Sequence, residues 1–246
     1  MVPRLYVPLL DPRDRSVSLP ADEAAHLRRV LRVTAGAAVR LFDGRGREVA
    51  ARVTSVDRTA VVAEIGDPVA AAPEWGVHVT LVQAVLKGDK IDDVIRDAVM
   101  MGVAAVQPLL TARTDVPAAA FTHGRRLERW QRIAVSSAKQ CGRAVVPPVL
   151  TPCALKDCLD AAQAEITLML VEPAAVTASA AGAWPQADAP RSAMVLVGPE
   201  GGWANEEVAQ AMSAGCLPVS LGPRTLRADA AAIVALSVLQ YIWGAH

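Results

Sequence analysis

The first 65 residues combine one helical pattern with several strand-like patterns. Residues 21–33 carry apolar side chains at helical spacing, which predicts a short amphipathic helix with these residues on its apolar face: Leu27, Val30 and Leu31. Three β-like runs follow it: residues 38–42, 48–54 and 59–65. The segment Asp43-Gly44-Arg45-Gly46 between the first two runs predicts a tight hairpin turn. These elements predict a small barrel or half-open sheet, followed by a linker that runs from Asp67-Pro68 to Trp75.

After Trp75 the pattern changes to strands that alternate with helices. Mostly apolar runs predict five strands: residues 77–86, 103–110, 166–171, 193–197 and 217–221. Helical periodicity predicts four helices: residues 89–101, 124–141, 205–214 and 229–243. This order predicts an α/β domain with a parallel sheet, whose ligands bind beyond the carboxyl ends of the strands. We therefore predict one domain at residues 1–72 and a second at residues 73–246.

Composition excludes several classes of protein. The chain has 246 residues, and none of its apolar runs approaches the roughly 18–20 residues that a membrane span needs. The first residues lack the basic and apolar regions of a signal peptide, so we expect a soluble, cytoplasmic protein. In that compartment the four cysteines are expected to be reduced. They form no CxxC pair and the four histidines are scattered, so no metal site is predicted.

Positive charge is concentrated in two segments and consists mostly of arginine. The formal net charge is zero, but residues 112–143 carry 7 basic and 2 acidic side chains, and residues 1–65 carry 11 and 8. Guanidinium groups match phosphates and stack on bases, which allows a polyanionic partner. A solvated protein surface accounts for the same distribution, and charge alone leaves both interpretations open.

Two predicted strand ends carry residues suited to a ligand site. Gly198-Pro199-Glu200-Gly201-Gly202 follows one strand, and its glycines let the backbone approach a ligand closely. The helix after it starts with acidic residues, so a purine or a positively charged ligand fits better than a phosphate. Leu221-Gly222-Pro223-Arg224-Thr225-Leu226-Arg227 follows another strand and could form an active-site wall. The alternatives are an ordinary turn, surface arginines, and Asp229 as a helix-capping or first-turn acid.

Together these motifs resemble those of the 16S ribosomal RNA uracil-N3 methyltransferases, a family of the SPOUT class. Besides the two strand-end segments, the similarity includes further motifs along the chain: Leu81-Val82-Gln83-Ala84, Lys87-Gly88-Asp89-Lys90, Gln140-Cys141-Gly142-Arg143, residues 26–32 and Phe42-Asp43-Gly44. It spans nearly the whole chain. The resemblance implies an α/β SPOUT domain with a C-terminal trefoil knot after a small N-terminal PUA-like RNA-binding β-barrel domain. It also implies S-adenosylmethionine as methyl donor, a homodimer, and 16S ribosomal RNA or the small ribosomal subunit as partner.

The resemblance also assigns roles to residues. The donor is expected to contact Val171, Glu172, Val197, Gly198, Pro199, Glu200, Gly201, Gly202, Leu221, Gly222, Pro223 and Leu226. Arg227 is the candidate for the catalytic cation, with Glu200 in support, because methylation at uracil N3 leaves negative charge on the flanking carbonyl oxygens. The RNA backbone is expected to contact Arg28, Arg29, Arg32, Arg125, Arg126, Arg129, Arg143 and Arg224.

The chain departs from the family pattern at three places. Ala228-Asp229-Ala230 stands where the family usually has a Thr-Glu-Thr-like stretch, and Met101 and Lys139 stand where glutamates are common. These differences concern the positioning of the substrate and leave the expected donor loops unchanged.

Two other classes of function are weighed against methyl transfer. A non-catalytic RNA-binding adaptor would keep the basic segments without needing the two intact strand-end loops. A nucleotide-dependent α/β enzyme would carry GxxxxGK[ST] or GxGxxG, and a hydrolase GxSxG, and the sequence contains none of these. Binding of S-adenosylmethionine discriminates the adaptor from the enzyme.

Overall fold

The chain divides into two compact units. The computed structural model describes residues 2–11, 13–116, 121, 124–173, 184–185 and 188–244. The first unit comprises Met1–Glu74 and Val135–Val146, and the second comprises Trp75–Ala134 and Pro147–His246. Our division into domains at 1–72 and 73–246 follows the predicted linker, and it stays a prediction. The position of a linker does not show where residues 135–146 pack.

The first unit contains a five-stranded sheet. Its strands are β1 (Arg4–Tyr6), β2 (Ser16–Ser18), β3 (Ala38–Phe42), β4 (Glu48–Val56) and β5 (Val61–Pro68), in the order β1-β3-β4-β5-β2. β1 is parallel to β3, and the other pairs are antiparallel. The three predicted strands are confirmed as β3, β4 and β5. The three-residue strands β1 and β2 were missed because they are too short to show a period.

Apolar pairing in this sheet builds the core of the first unit. Val39 pairs with Ala51 and Leu41 with Val49, and all four side chains are buried. The predicted hairpin turn is confirmed: the Asp43 carboxylate accepts hydrogen bonds from the backbone N–H groups of Arg45 (2.7 Å) and Arg47 (3.1 Å). The predicted linker begins too early, because Asp67 and Pro68 belong to β5.

The predicted helix at residues 21–33 is present but changes its winding. Helix α1 (Ala21–His26) continues as a π-helical turn at Leu27–Leu31 and ends where Arg32 takes a left-handed conformation (φ 49°). A π turn holds more residues than an α turn and rotates later side chains off the apolar face. Leu27 is buried as predicted, but the placement of Val30 and Leu31 on that face is wrong, since they are 64% and 41% exposed.

Arg4 organises a buried polar cluster in the first unit. Its guanidinium donates to both carboxylate oxygens of Glu48 (3.1 and 2.7 Å). It also donates to three backbone carbonyls at and beyond the end of helix α3 (Arg125–Cys141), those of Ala138, Lys139 and Arg143, at 2.8–2.9 Å. The Glu48 side chain is only 1% exposed, so Arg4 is the charge that compensates it.

We expect Arg4→Met to lower the free energy of unfolding by about 3 kcal/mol, because it strands a buried carboxylate and three carbonyl groups. Chemical denaturation measures this change. Arg40→Met is the matched control: Arg40 lies 3.8 Å from the same carboxylate but is 42% exposed, and its loss should cost no more than about 0.5 kcal/mol. Equal losses in the two variants would contradict the role assigned to Arg4.

The second unit is built on a parallel six-stranded sheet. Its strands are β6 (His78–Ala84), β7 (Ala105–Leu110), β8 (Cys153–Ala154), β9 (Ile166–Leu170), β10 (Ser192–Val197) and β11 (Leu217–Val219), in the order β11-β9-β10-β6-β7-β8. The five predicted strands are confirmed. The two-residue strand β8 was missed. The central strands β6 and β10 are buried along most of their length, which explains why their sequences are nearly continuous apolar runs.

Helices flank the sheet at the predicted places. They are α2 (Lys90–Met100), α3, α4 (Leu155–Asp160), α5 (Asn205–Ser213) and α6 (Ala228–Trp243). Only the short helix α4 was not predicted. α6 packs against α2, and its buried side chains include Ala232, Leu236 and Leu239. Gly102 ends α2 in a left-handed conformation (φ 88°), as its position after the last apolar residue predicts.

Candidate functional site

A pocket of about 300 Å³ lies at the carboxyl ends of three adjacent strands of the second unit. β11 pairs with β9, and β9 pairs with β10, all in parallel. The pocket is therefore walled by the three segments that leave these strands: residues 171–173, 198–203 and 220–228. This is the edge of a parallel sheet at which ligands bind.

The structure brings most of the predicted ligand residues together in this pocket. Those that line it are Val171, Glu172, Val197, Gly198, Pro199, Glu200, Gly202, Leu221 and Leu226, joined by Arg224 and Arg227. Gly201, Gly222 and Pro223 lie in the same loops but do not line the pocket. Further lining residues to which no ligand-binding role was assigned include Lys90, Leu170, Trp203, Ser220 and Asp229.

The loop after β10 is held from two sides. Its turn is closed by a hydrogen bond from the Gly202 N–H to the Pro199 carbonyl (3.0 Å), with Gly202 in a left-handed conformation (φ 68°). The Trp203 indole N–H donates to the Leu170 carbonyl at the end of β9 (2.8 Å), and Arg113 donates to the Gly201 carbonyl (2.8 Å). The glycine backbone therefore faces the pocket in a fixed position.

Two hydrogen bonds among the described residues hold the start of the loop after β11. The Trp184 indole N–H donates to the Ser220 carbonyl (2.9 Å), and the Ser220 hydroxyl donates to the Gly222 carbonyl (3.2 Å). Residues 222–227 beyond these contacts are exposed. This wall of the pocket thus presents Arg224 and Arg227 toward solvent and toward any ligand in the pocket.

Glu200 links this loop system to the segment after β6. Its carboxylate accepts hydrogen bonds from the Lys90 ammonium (2.9 Å) and the Lys87 backbone N–H (3.3 Å). Partial burial acts to raise the pKa of Glu200, but the hydrogen bond from Lys90 and the further hydrogen bonds outweigh it, so its pKa lies below the ordinary value. Glu200 is consequently ionised at neutral pH.

Arg227 and Asp229 form a second ion pair at the pocket. The guanidinium donates to both carboxylate oxygens (3.1 and 2.7 Å), and Arg227 remains 71% exposed. The hydrogen bond from Arg227 lowers the pKa of Asp229. Asp229 also accepts from the Ala230 N–H (3.2 Å) in the first turn of α6. The shorter acid at this departure from the family pattern therefore orients the candidate catalytic cation.

The predicted RNA-contacting arginines fall into different environments. Arg29, Arg32, Arg125 and Arg224 are exposed and make no ion pair with the described part of the chain. Arg126 lies over the Phe121 ring (5.5 Å). Arg28 donates to the carbonyls of Asp57 (3.0 Å) and Arg58, and Arg129 pairs with Asp89 (3.2 Å) and Asp92. These last two guanidinium groups are already occupied in the structure.

Arg143 is a correction to the predicted set. Its side chain is 5% exposed and its guanidinium is paired with the Glu74 carboxylate (2.5 Å). The basic segment suggested an exposed cation, but sequence does not show that this residue follows a helix whose end packs into the first unit. Arg143 therefore has a structural role and is withdrawn from the RNA-contacting residues. Lys139, another departure from the family pattern, pairs with Glu23 (2.8 Å).

Lys90 and Trp203 line the pocket without a role assigned from sequence, whereas Asp229 was considered only as a helix-capping or first-turn acid. Lys90 lies in a motif that we noted without a role, and Trp203 directly follows the glycine-rich segment. The sequence shows that both residues lie in or beside a recognised motif. Only the order of the strands shows that β6 and β9 end beside β10.

The described residues contain neither a cluster of metal-binding side chains nor a helix that could span a membrane. None of the helices described is long and apolar enough to cross a membrane. No group of three or more metal-binding side chains occurs among the described residues. His123 and His246 lie outside the described residues. The four cysteines are free, and burial raises the pKa of Cys158 to about 12.

Segments of both units match models of known protein families. Residues 73–240 match the model of an RNA methyltransferase domain, and residues 19–66 match that of an RNA methyltransferase PUA domain. The chain is 34% identical to a ribosomal RNA small subunit methyltransferase E from Synechocystis, covering 91% of this chain and 72% of that protein.

Solved structures agree with these matches. One is a ribosomal RNA small subunit methyltransferase E from Neisseria gonorrhoeae bound to S-adenosylmethionine, with a TM-score of 0.87, 34% identity and coverage of 99% and 98% of the two chains. Another, from Legionella pneumophila in complex with the same cofactor, has a TM-score of 0.90 and 30% identity over the full length of both chains. The predicted fold class is confirmed: a SPOUT-type trefoil-knot α/β domain follows a small PUA-like β-domain.

Proposed function

This chain belongs to the ribosomal RNA small subunit methyltransferase E family, and from that membership we propose that it methylates N3 of a uridine in 16S ribosomal RNA with S-adenosylmethionine as donor. The observation that carries the proposal is the pocket at the ends of β9, β10 and β11, whose glycine-rich wall lies against two ion pairs. A pocket that binds the donor beside a cation for the base is what this reaction needs.

The pocket suits S-adenosylmethionine by its shape and charge. A Cβ atom on Gly202 would lie 2.8 Å from a carboxylate oxygen of Glu172, so a larger residue in this left-handed position (φ 68°) would displace that side chain in the pocket. Apolar walls formed by Leu170, Val171 and Leu226 suit an adenine ring, and three carboxylates line the pocket for a positively charged sulfonium: Glu172, Glu200 and Asp229. No phosphate cradle is needed, because the donor carries no phosphate.

We expect Gly202→Ala to weaken binding of S-adenosylmethionine about tenfold, because a left-handed alanine costs about 1–2 kcal/mol and its methyl group displaces Glu172. Isothermal titration calorimetry measures the affinity. Gly215→Ala is the matched control, since Gly215 is also left-handed (φ 85°) but has nothing within 4 Å of its Cβ position and does not line the pocket. Undiminished affinity in Gly202→Ala would contradict the assigned place of the donor.

In the proposed reaction the bound donor supplies a methyl group from its sulfonium. In the step proposed, the N3 proton passes to solvent water and N3 then takes the methyl group, with the demethylated thioether as the leaving group. The chain must favour loss of this proton, because the neutral nitrogen is a poor nucleophile. Arg227 is placed to stabilise the negative charge that then spreads onto the carbonyl oxygens O2 and O4. Glu200, ionised in the same pocket, supports the orientation of the cations. Its lowered pKa makes it a weak proton acceptor, which favours the orienting role over proton transfer.

The RNA substrate is proposed to bind through phosphates held by exposed arginines. The target uridine must leave its base stack to reach the pocket, so the protein has to bind the surrounding RNA tightly. The residues that remain candidates are Arg29, Arg32, Arg125, Arg126 and Arg224, whereas Arg28 and Arg129 require partners to be exchanged. In domain terms, residues 1–72 would bind RNA and residues 73–246 would bind the donor and carry out methyl transfer.

We expect the double variant Arg29→Ala/Arg32→Ala to flatten the salt dependence of RNA binding. Each lost phosphate contact removes about 0.9 from the slope of log affinity against log salt, so the slope should fall by about 1.5–2. Filter binding of a 16S ribosomal RNA fragment between low and high salt measures it. An unchanged slope would show that these two side chains only solubilise the helix end.

Mass spectrometric mapping of ribosomal RNA tests the proposed function. Purified chain is incubated with isotopically labelled S-adenosylmethionine and either free 16S ribosomal RNA or small subunits, and the digested RNA is searched for labelled N3-methyluridine. Its appearance at one position supports the proposal. A different methylated base would overturn the N3 assignment, and a chain that binds RNA but no donor would be an adaptor. We also propose a homodimer, which light scattering tests.

A further inference from the structure

The segment Lys87-Gly88-Asp89-Lys90 has no role in the reaction as proposed so far, yet one of its side chains reaches the pocket. Lys90 is the first residue of α2 and lines the same pocket as Glu200 and Arg227. Its ammonium lies 2.9 Å from the Glu200 carboxylate and is 39% exposed. β6 and β10 are paired in parallel, with Gln83 beside Val197, so the segment after β6 emerges next to the loop that carries Glu200.

The charges at the pocket alternate in sign. Glu200 is bonded to Lys90 and also acts on the Arg227 guanidinium, whose pKa is raised first by Asp229 and to a smaller extent by Glu200. Two cations are thus held at one pocket by two carboxylates. A pocket that only had to bind a sulfonium would not need two cations, because like charge repels the donor.

An ionised uracil presents a charge distribution that suits this arrangement. Loss of the N3 proton spreads the negative charge over O2 and O4, which lie on opposite sides of N3. A single guanidinium beside one carbonyl oxygen leaves the negative charge on the second carbonyl oxygen without a stabilising cation. Two cations flanking N3 stabilise both ends, and their effect is large where the pocket excludes water.

We propose that Lys90 is the second catalytic cation and contacts the uracil carbonyl oxygen that Arg227 does not. The inference rests on the proposed function and deepens it by assigning the base-recognising charge to a particular lysine. In the free protein Glu200 holds the ammonium at the pocket. When the base enters, the ammonium faces the carbonyl oxygen while the Glu200 contact keeps it in place, and no proton is transferred from Lys90.

Lys87 offers a matched control within the same segment. Its ammonium pairs with Asp115 (3.0 Å), it is 72% exposed, and it does not line the pocket. It contacts Glu200 only through its backbone N–H, which a substitution of the side chain preserves. The competing explanation for Lys90 is a structural one, in which its ion pair merely fastens one loop to another.

Single-turnover methylation across a range of pH tests the assignment, with RNA and S-adenosylmethionine both saturating. We expect Lys90→Met to lower the rate about 100-fold, the effect typical of removing one donor from a charge-stabilising site. The rising limb of its pH profile should move to higher pH, since N3 loses its proton less readily. Lys90→Arg should recover much of the rate, and Lys87→Met should match the unmodified chain. Donor affinity, measured by calorimetry, should stay within about threefold.

Three results would overturn the inference. The first is a methylation rate for Lys90→Met that equals the rate for Lys87→Met. A slower Lys90→Met whose pH profile is unmoved and whose donor affinity has fallen would establish the structural role instead. If the unmodified chain forms no N3-methyluridine, the proposed function fails and this inference fails with it, whereas normal methylation by Lys90→Met overturns the inference alone.

Discussion

Replacing Arg227 with alanine is expected to slow methyl transfer by about 10²–10³-fold while S-adenosylmethionine still binds. In the proposed reaction the guanidinium stabilises charge that exists only once uracil N3 loses its proton, so its loss should affect the transition state more than the ground state. Arg227 is 71% exposed and its ion pair is with Asp229, two residues away, so its removal should leave the fold intact.

Single-turnover rates and donor affinity measured side by side check this expectation. Arg227→Lys keeps a charge but loses the planar fork, and should fall between alanine and the unmodified chain. Arg191→Ala, a 95% exposed arginine of the same unit outside the pocket, should behave as the unmodified chain. Full activity in Arg227→Ala would remove this residue from the mechanism.

Replacing Trp203 with alanine should have the largest effect on the structure of the pocket. The indole is 9% exposed and packs in the apolar core of the second unit with Leu196 and Met169. Truncation to alanine in such a core lowers the free energy of unfolding by about 3–5 kcal/mol. It also removes the hydrogen bond to the Leu170 carbonyl that joins two walls of the pocket. Donor affinity should fall about tenfold or more, since one such bond is worth about 1–1.5 kcal/mol.

Trp203→Phe separates packing from the hydrogen bond, because it keeps an aromatic ring and removes the indole N–H. Thermal denaturation and calorimetric titration of both variants provide the measurements. We expect Trp203→Phe to lose donor affinity with a smaller loss of stability than alanine causes. If Trp203→Phe binds the donor as tightly as the unmodified chain, the indole N–H does not hold the pocket together.

Local sequence patterns predicted the loops of the pocket, because each loop is a run of consecutive residues that directly follows a strand. Gly198 to Gly202 and Leu221 to Arg227 were identified from sequence, and the structure places most of them around one pocket. Lys90 was not assigned, since its place beside Glu200 follows from the pairing of β6 with β10, two strands separated by more than 100 residues. Periodicity contains no information on such pairing.

The errors in the sequence interpretation also have physical causes. Val30 and Leu31 have helical spacing, but the π turn rotates them into solvent. Arg143 lies in a basic segment, but its position after α3 buries it beside Glu74. Charge and hydropathy along a chain show which side chains favour water, and tertiary packing decides which of them find a partner inside the protein.

The central claim is that the pocket at the ends of β9, β10 and β11 binds S-adenosylmethionine beside Arg227. A crystal structure of this chain grown with that compound tests the claim most directly. We predict the adenine and sulfonium in contact with the backbone between Gly198 and Gly202 and with the loop that ends at Arg227. Donor bound at another surface, or a pocket still without it at saturating concentration, would contradict the account.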